Sequence, residues 1–339
     1  MADRTGQKPQ GGEAERSDQP LLPLLVMAVA LAAVGYSVAL TEEPDADPVE
    51  DRGAVSGEAE PLSIDPKRID RDVEAIELEY APADPSHFDL IMSQTTRRWD
   101  QAGEERQLET ELDLRVEEGV EEQPGGDERE AHLAIDRRYE RVAAEITGAD
   151  GESSGDDIAA HVERLLGDAE TRTLIGLRGE PIDFQWREVA NPHARRTLSL
   201  VRDAHELLTP RYMTGAVNPG DTWSYEEPIA VEEPDLGLTA EGSVEVQSHF
   251  VGLLDDQKSR RAVMRQRFNM AVDGEALDED DEAHEFRSEG AGQADILVDL
   301  DQGRPVSADL TFERTLTAEQ DDDPQTQSSE ISVSLRPAE

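Results

Sequence analysis

The sequence lacks cysteine altogether, and lysine occurs only at positions 8, 67 and 258 of its 339 residues. Without cysteine there can be no disulfides, thiol nucleophiles, thiolate metal ligands or lipid-modified cysteine anchor. The absence leaves oxidising and reducing compartments equally open. The location of the protein therefore has to be inferred from its hydrophobic segments and its charge.

Basic residues of either kind are scarce, since 32 Lys and Arg stand against 78 Asp and Glu, for a formal net charge of -46. Such a chain repels phosphate backbones, and no local basic patch offsets the repulsion, so we expect no nucleic acid partner. Acidic residues spread along a whole chain are typical of proteins that stay soluble through their surface charge. Pairs of carboxylates are therefore weak indications of catalysis in this sequence.

Long hydrophobic runs are also lacking, except at residues 21–40, which contain no charged residue. A helix of that length rises about 30 Å and matches the hydrocarbon core of a bilayer, so we predict one transmembrane helix there. Arg4, Lys8 and Arg16 precede this segment. Because basic residues favour the cytoplasmic side, residues 1–20 are predicted to be a disordered cytoplasmic tail.

The predicted location is the bacterial inner membrane, with a single pass that contacts the lipid bilayer through residues 21–40 and a periplasmic or otherwise extracytoplasmic main domain. The alternative is secretion after signal-peptide cleavage, because Ser37, Val38 and Ala39 offer small residues for a cleavage site. Residues 41–70 are rich in Glu, Asp, Pro, Gly and Ala. They cannot bury enough apolar surface to fold, so we predict an acidic disordered linker.

Residues 75–339 are predicted to form an extracytoplasmic β-rich domain. Apolar residues alternate with polar ones at 76–80, at 88–92 and in later segments, which is typical of strands with one buried face. Apolar residues at helical spacing predict two helices, one at 156–166 and one at 195–208. Short turns between successive strands favour antiparallel pairing.

The two halves of this domain, about 76–190 and 211–337, share a plan of long strands followed by a hairpin. The hairpin sequence at 174–186 resembles that at 296–312. We therefore predict an α+β fold that is mainly antiparallel β: a strongly curved sheet, or half-barrel, built from two pseudo-repeats with two helices packed on its concave face. Two separate small domains are the alternative.

The sequence PGDTWSY at 219–225 is followed by long alternating strands and by a strand with Gly290 and Gly292. In this organisation the chain resembles a poorly characterised group of exported bacterial β-rich proteins, whose architecture is similar to that of the LolA and LppX carriers. The resemblance covers roughly residues 80–336. It implies a half-barrel around an apolar cavity for lipid or acyl chains.

Residues 288–313 contain two features that could be mistaken for binding motifs. Gly290 and Gly292 lack the third glycine and the following helix of a dinucleotide site. The acidic turn after them fails the residue spacing of a calcium-binding EF-hand loop. We interpret the stretch as two paired strands, with a turn at 301–304 in which Gly303 supplies a positive φ, and with Gly290 and Gly292 permitting a bulge or bend.

No pattern of catalytic or metal-ligating residues occurs. The histidines are scattered without the spacing of a zinc site, at positions 87, 132, 161, 193, 205, 249 and 284. A G-x-S-x-G spacing occurs once, at residues 151–155, without the apolar strand directly before it that a nucleophile elbow requires. We therefore expect no enzyme, no cofactor and no metal, and we interpret His161 and His205 as packing residues on the predicted helices.

Aromatic residues are the best candidates for lining a cavity. Seven of them in the predicted domain could line a cavity, and the alternative is that they pack in an ordinary core: Phe88, Trp99, Phe184, Trp186, Tyr212, Trp223 and Phe250. Pockets of half-barrels form at the mouth of the sheet. The sequence thus favours a binding module for a lipid or other apolar ligand. The alternative is a non-catalytic structural or protein-interaction domain that binds another envelope protein.

Overall fold

The fold is a large antiparallel β-sheet with one long helix packed against it. The computed structural model describes residues 62, 64–82, 85–99, 105–123, 132–147, 160, 162–164, 166–167, 169–187, 189, 192–233, 238–256, 259–277, 283–320 and 323–338. The predicted cytoplasmic tail, transmembrane segment and most of the predicted linker lie outside these residues.

The strands are β1 (Ile69–Asp70), β2 (Ile76–Glu77), β3 (Ser86–Trp99), β4 (Glu105–Gln123), β5 (His132–Thr147), β6 (Glu170–Gly176), β7 (Pro181–Arg187), β8 (Ala216–Val217), β9 (Thr222–Glu233), β10 (Leu238–Asp256), β11 (Ser259–Leu277), β12 (Ala283–Asp299), β13 (Pro305–Gln320) and β14 (Asp323–Pro337). A 3-10 turn at Pro66–Arg68 precedes β1. The long helix, α1, spans Pro192–Leu207. Residues 160, 162–164 and 166 are also helical.

Twelve strands join in one sheet. Eleven of them follow the order β1, β10, β11, β12, β13, β14, β3, β4, β5, β6 and β7. The twelfth, β9, pairs with β10 on the same side as β1. Nearly all neighbours in the sheet are also neighbours in sequence, as expected for strands connected by short turns. The exceptions are the pairing of β1 with β10 and that of β14 with β3, which joins the last strand of the chain to one of the first. The short strands β2 and β8 form a separate pair.

One face of the sheet is buried and apolar, and the other, here called the outer face, is largely polar. Leu90, Leu114, Ile296 and Val333 lie on the buried face and are completely inaccessible to water. Their sequence neighbours point outward because successive side chains of a strand point to opposite faces. The alternation seen in the sequence is thus confirmed as the cause of the two-faced sheet.

Helix α1 packs on the buried face of the sheet. It begins at Pro192, a residue suited to the first helical turn because that turn has no N–H to lose. Leu198 and Val201 are buried together with strand residues in the main core. The His205 imidazole stacks on the Phe88 ring with 5.2 Å between ring centroids. The helix predicted at 195–208 and the packing role predicted for His205 are confirmed, whereas His161 lies outside the described residues.

The predicted fold class is wrong. The described residues are nearly all antiparallel β, and their twelve-stranded main sheet is neither closed nor strongly curled, not an α+β half-barrel around two helices. The physical reason is the β14–β3 pairing, because it extends a single sheet through both halves of the chain and so gives the buried face a long, continuous surface. Alternation along each strand could not reveal this pairing.

The predicted single-pass membrane protein also needs correction. Residues 21–40 lie outside the described part of the chain. Within that part, no helix is long and apolar enough to cross a bilayer; α1, with 16 residues, rises only about 24 Å. On this finding we do not retain the predicted single-pass inner-membrane location.

The hairpin predicted at 301–304 is confirmed, and it anchors three segments of the chain. Gly303 has a φ of 62°. The Tyr212 hydroxyl donates a hydrogen bond to the Gly303 carbonyl oxygen at 2.6 Å. The Ala81 N–H donates to the Gln302 carbonyl at 2.9 Å. The turn thus fastens the chain before β3 and the chain after α1 to the end of the sheet.

Replacing Gly303 by alanine should lower the free energy of unfolding by about 3 kcal/mol, which is a severe loss for one methyl group. The added Cβ would lie 1.5 Å from the Glu79 carbonyl oxygen, in addition to the strain of a positive φ. Gly220→Ala is the matched control, because Gly220 has a φ of 97° with no heavy atom within 4 Å of a built Cβ. It should cost only about 1 kcal/mol. Urea denaturation measures both, and equal losses would contradict the close approach of Glu79.

Candidate functional site

A depression of about 650 Å³ lies on the outer face across strands β10 to β14. We call it the β12 depression, after the strand at its centre. Its lining comprises Glu245, Gln247, Arg267, Phe268, Asn269, Ala291, Gly292, Gln293, Thr311, Phe312, Glu313 and Glu330. Its volume falls within the range of about 300–1,000 Å³ typical of ligand sites.

The depression exists because β12 has small residues at its centre. Ala291 faces outward between Asn269 of β11 and Glu313 of β13, which are its direct cross-strand neighbours. Its single methyl group leaves the outer face low at this point. Larger side chains on the neighbouring strands form the walls.

Gly290 and Gly292 lie on the opposite, buried face of the same strand. A Cβ on Gly292 would lie 2.5 Å from Cδ2 of Phe312, and one on Gly290 would lie 2.5 Å from its Cζ. The two glycines therefore make room for the buried Phe312 ring. The register of β12 with both neighbours continues without a shift through 290–292, so the predicted bulge at these glycines is wrong.

The chemistry of the β12 depression is acidic and rich in hydrogen-bonding groups. Glu313 and Glu330 stand directly opposite each other on β13 and β14, and both are exposed. Like charges in such a pair destabilise a sheet. Glu245 adds a third carboxylate, while Arg267 is the one basic residue in the lining. This arrangement can hold a cation and can exchange hydrogen bonds with a polar ligand.

A second concentration of charged groups is buried between the sheet and α1. The Arg137 guanidinium of β5 donates from Nε to the Glu118 carboxylate at 3.1 Å and from a terminal nitrogen to the Thr173 hydroxyl at 3.2 Å. The Arg304 guanidinium lies 3.8 Å from the same Glu118 carboxylate. These contacts neutralise a carboxylate that is almost completely buried.

The helix contributes its own charged residues to this buried group. The Arg202 guanidinium donates to Oδ1 of Asp203 at 2.6 and 2.8 Å, and its Nε lies 3.9 Å from Oε1 of Glu206. Burial raises the pKa of Asp203 to about 8, although the Arg202 charge opposes the rise. Burial also raises the pKa of Glu206. Two neighbouring carboxyl groups therefore favour holding protons inside the fold.

His205 completes the buried group. Burial lowers the pKa of its imidazole, and the nearby Arg137 charge lowers it further. Among the described residues, no hydrogen-bond partner is present for Nδ1 of His205, Oδ2 of Asp203 or either carboxyl oxygen of Glu206. Because these atoms lie beneath α1 and Asp203 is fully buried, we assign the group to positioning the helix.

The predicted cavity residues occupy separate places in the structure. Phe184 and Trp186 of β7 meet edge to face, with ring centroids 4.6 Å apart, and the Arg202 guanidinium lies over the Phe184 ring at 4.5 Å. Phe88, Tyr212 and Phe250 are buried in the main core, while Trp223 is partly buried and donates from Nε1 to the Arg211 carbonyl at 2.7 Å. Trp99 ends β3, and its side chain lies outside the described part.

The sequence contains a signal for the buried charges. Arg137 lies between Ile135 and Tyr139 in the first half of β5, where the other odd-numbered residues, Leu133 included, are apolar. Period two therefore places its guanidinium on the buried face. No comparable signal in the sequence predicts the β12 depression. Its lining comes from five strands, and the sequence does not show how those strands are aligned with one another.

Stability should depend on the Asp203 carboxyl between about pH 4 and pH 8. Its ordinary pKa of 3.8 is raised to about 8 in the fold, so the folded protein binds a proton there that the unfolded chain has released. The resulting stabilisation is complete below about pH 4 and is lost as the pH rises through about 8. Asp203→Asn removes this titration.

The measurement is urea denaturation of both proteins at about pH 5 and about pH 8 in high salt, which screens the net charge. As the pH rises, the free energy of unfolding of Asp203→Asn should increase relative to that of wild type, by up to about 1.4 kcal/mol per pH unit. Asp273→Asn removes a carboxylate from the exposed surface and controls for the change in net charge. A difference between wild type and Asp203→Asn that stays constant with pH would contradict the assignment.

Comparisons with known proteins do not place the chain in a family. No family model matches it, and no curated protein matches it. Solved structures similar to it include an outer membrane channel from Pseudomonas putida F1, with 10% identity over 78% of this chain and 99% of that one and a TM-score of 0.19. The β domain of a Bordetella autotransporter has 10% identity over 75% and 100%, with a TM-score of 0.17. Scores this low do not indicate a shared fold, and what stands is a β-rich protein that is not specifically similar to the LolA carriers.

Proposed function

We propose that this protein is a non-catalytic binding module that receives a basic segment of a partner protein in the β12 depression. The observation that carries the proposal is the set of three carboxylates, from Glu245, Glu313 and Glu330, around a floor of small residues. Lysine or arginine side chains of a partner would relieve the repulsion between the opposed glutamates. Complementary charge also speeds the encounter of two proteins.

The polar residues of the depression support recognition of a peptide chain. Gln247, Asn269 and Gln293 each offer an amide that can both donate and accept hydrogen bonds. A peptide backbone also carries hydrogen-bond donors and acceptors along its whole length, and both require partners. The carboxylates would thus select basic side chains, while the amides would bind the chain that carries them.

The buried face gives less support to an apolar ligand. Phe250 is completely inaccessible to water there, and Phe88 is used in stacking on His205. The Tyr212 hydroxyl is engaged by the turn at Gly303. The carboxyl groups with raised pKa, on Asp203 and Glu206, lie beneath α1 and not in the depression, which supports a module without catalysis.

Replacing both Glu313 and Glu330 by glutamine should weaken binding of an oligo-arginine peptide by about 10-fold at low salt. The estimate assumes that two exposed charge pairs contribute about 0.5–1 kcal/mol each. Fluorescence anisotropy of the labelled peptide measures the affinity. Binding of the wild-type protein should weaken as salt is added, because exposed charges are screened.

The control has to separate the depression from the net charge of the chain. Glu275 and Glu285 form another directly opposed pair of exposed glutamates, on β11 and β12 but outside the depression. The double variant E275Q/E285Q changes the net charge equally and should bind the peptide as wild type does. Equal weakening in both double variants would mean general electrostatic attraction and would overturn the proposed site.

A further inference from the structure

Three side chains that can bind a metal ion converge on the outer face, away from the β12 depression. They are His87 of β3, Glu117 of β4 and Glu140 of β5, and one potential ligand atom of each lies within 4.8 Å of the others. His87 and Glu117 are direct cross-strand partners, with 3.9 Å between Nε2 and Oε1. The set brings a nitrogen and two carboxylates together from three adjacent strands.

A β-bulge brings the third residue to this position. Tyr139 pairs with Val116 and Arg141 pairs with Arg115, so Glu140 is the extra residue of β5. As a result Glu140 and Arg141 both face solvent after the buried Tyr139. Bulges commonly redirect a side chain in this way near functional sites.

Three arginines border the set, and the structure engages each of them elsewhere. The partners are Asp89 for Arg115 at 2.9 Å, Glu170 for Arg138 at 2.8 Å and Asp113 for Arg141 at 2.9 Å. Arg138 is the direct cross-strand neighbour of Glu117, yet its guanidinium is held by Glu170. The carboxylates of Glu117 and Glu140 stay within reach of His87, although the Arg115 charge also acts on Glu140.

We propose that His87, Glu117 and Glu140 bind a divalent transition-metal ion of the zinc class. Zinc bonds to nitrogen and carboxylate oxygen are about 2.0–2.2 Å long, so two ligand atoms of one ion lie at most about 4 Å apart. The His87–Glu117 distance already meets this limit. Small rotations of the exposed side chains bring the third ligand within it.

The ligand set also determines which ions fit. Imidazole suits zinc, copper, iron and nickel, whereas magnesium and calcium prefer oxygen ligands alone. Three protein ligands leave at least one position of a tetrahedral ion open to water. Bound there, the ion joins β3, β4 and β5 on the face opposite the core.

Isothermal titration calorimetry of the full chain with ZnCl₂, in excess Mg²⁺ to occupy surface carboxylates, tests the proposal. Wild type should bind one zinc ion that magnesium does not displace. Loss of a partner that only orients a ligand already costs about 10- to 100-fold in affinity, so His87→Ala and Glu140→Gln should each weaken binding by at least about 10-fold. The thermal midpoint of wild type should rise with zinc, because a ligand of the folded state stabilises it.

His249→Ala is the matched control, since it removes a histidine from the outer face of β10, and it should bind zinc as wild type does. Circular dichroism without metal shows that each variant is folded. Unchanged binding in His87→Ala, or equal weakening in His249→Ala, would show adventitious binding only and overturn the proposal. Cobalt gives an independent readout, because its visible spectrum should lose the nitrogen-ligand signature in His87→Ala while Glu140→Gln keeps it at higher cobalt concentration.

Discussion

The pairing of β14 with β3 is the constraint on which the rest of the structure depends. Eleven residue pairs from Gln327–Arg98 to Pro337–Phe88 join the C-terminal strand to the first long strand. Without them, strands β1 and β9–β14 would form one smaller sheet and strands β3–β7 another. With them, the apolar residues of both groups bury one continuous face, and α1 can pack against it.

That buried face determines what the outer face can do. Phe312 needs space on the inside of β12, and Gly290 and Gly292 provide it. The same strand carries Ala291 on the outside, where its small size lowers the surface between the walls of the β12 depression. Core packing and the candidate site therefore share one strand. The opposed Glu313 and Glu330 cost stability in the sheet, and we connect that cost with binding of a basic partner.

The charged residues buried beneath α1 differ from the apolar residues of the core, because the cost of removing them from water offsets their attraction. Arg137 and Glu118 leave water as an oppositely charged pair, whereas the Asp203 carboxyl beside Arg202 favours its protonated form. Desolvation of such pairs generally offsets their attraction, so they specify an arrangement more than they stabilise it. The interaction between sheet and helix is that of the Arg137 charge with Glu206 and His205 of α1. The raised pKa of Asp203 and the lowered pKa of His205 are the consequence of that burial.

The sequence by itself determined the local structure, because alternation, turn residues and helical spacing act over a few residues. It predicted long strands, α1, the turn with Gly303 and the packing of His205. Only the tertiary structure decided which strands are neighbours. The joining of β14 to β3, the assembly of the β12 depression and the meeting of His87, Glu117 and Glu140 all depend on register between strands. Register follows from the packing of a whole buried face, and one strand does not contain that information.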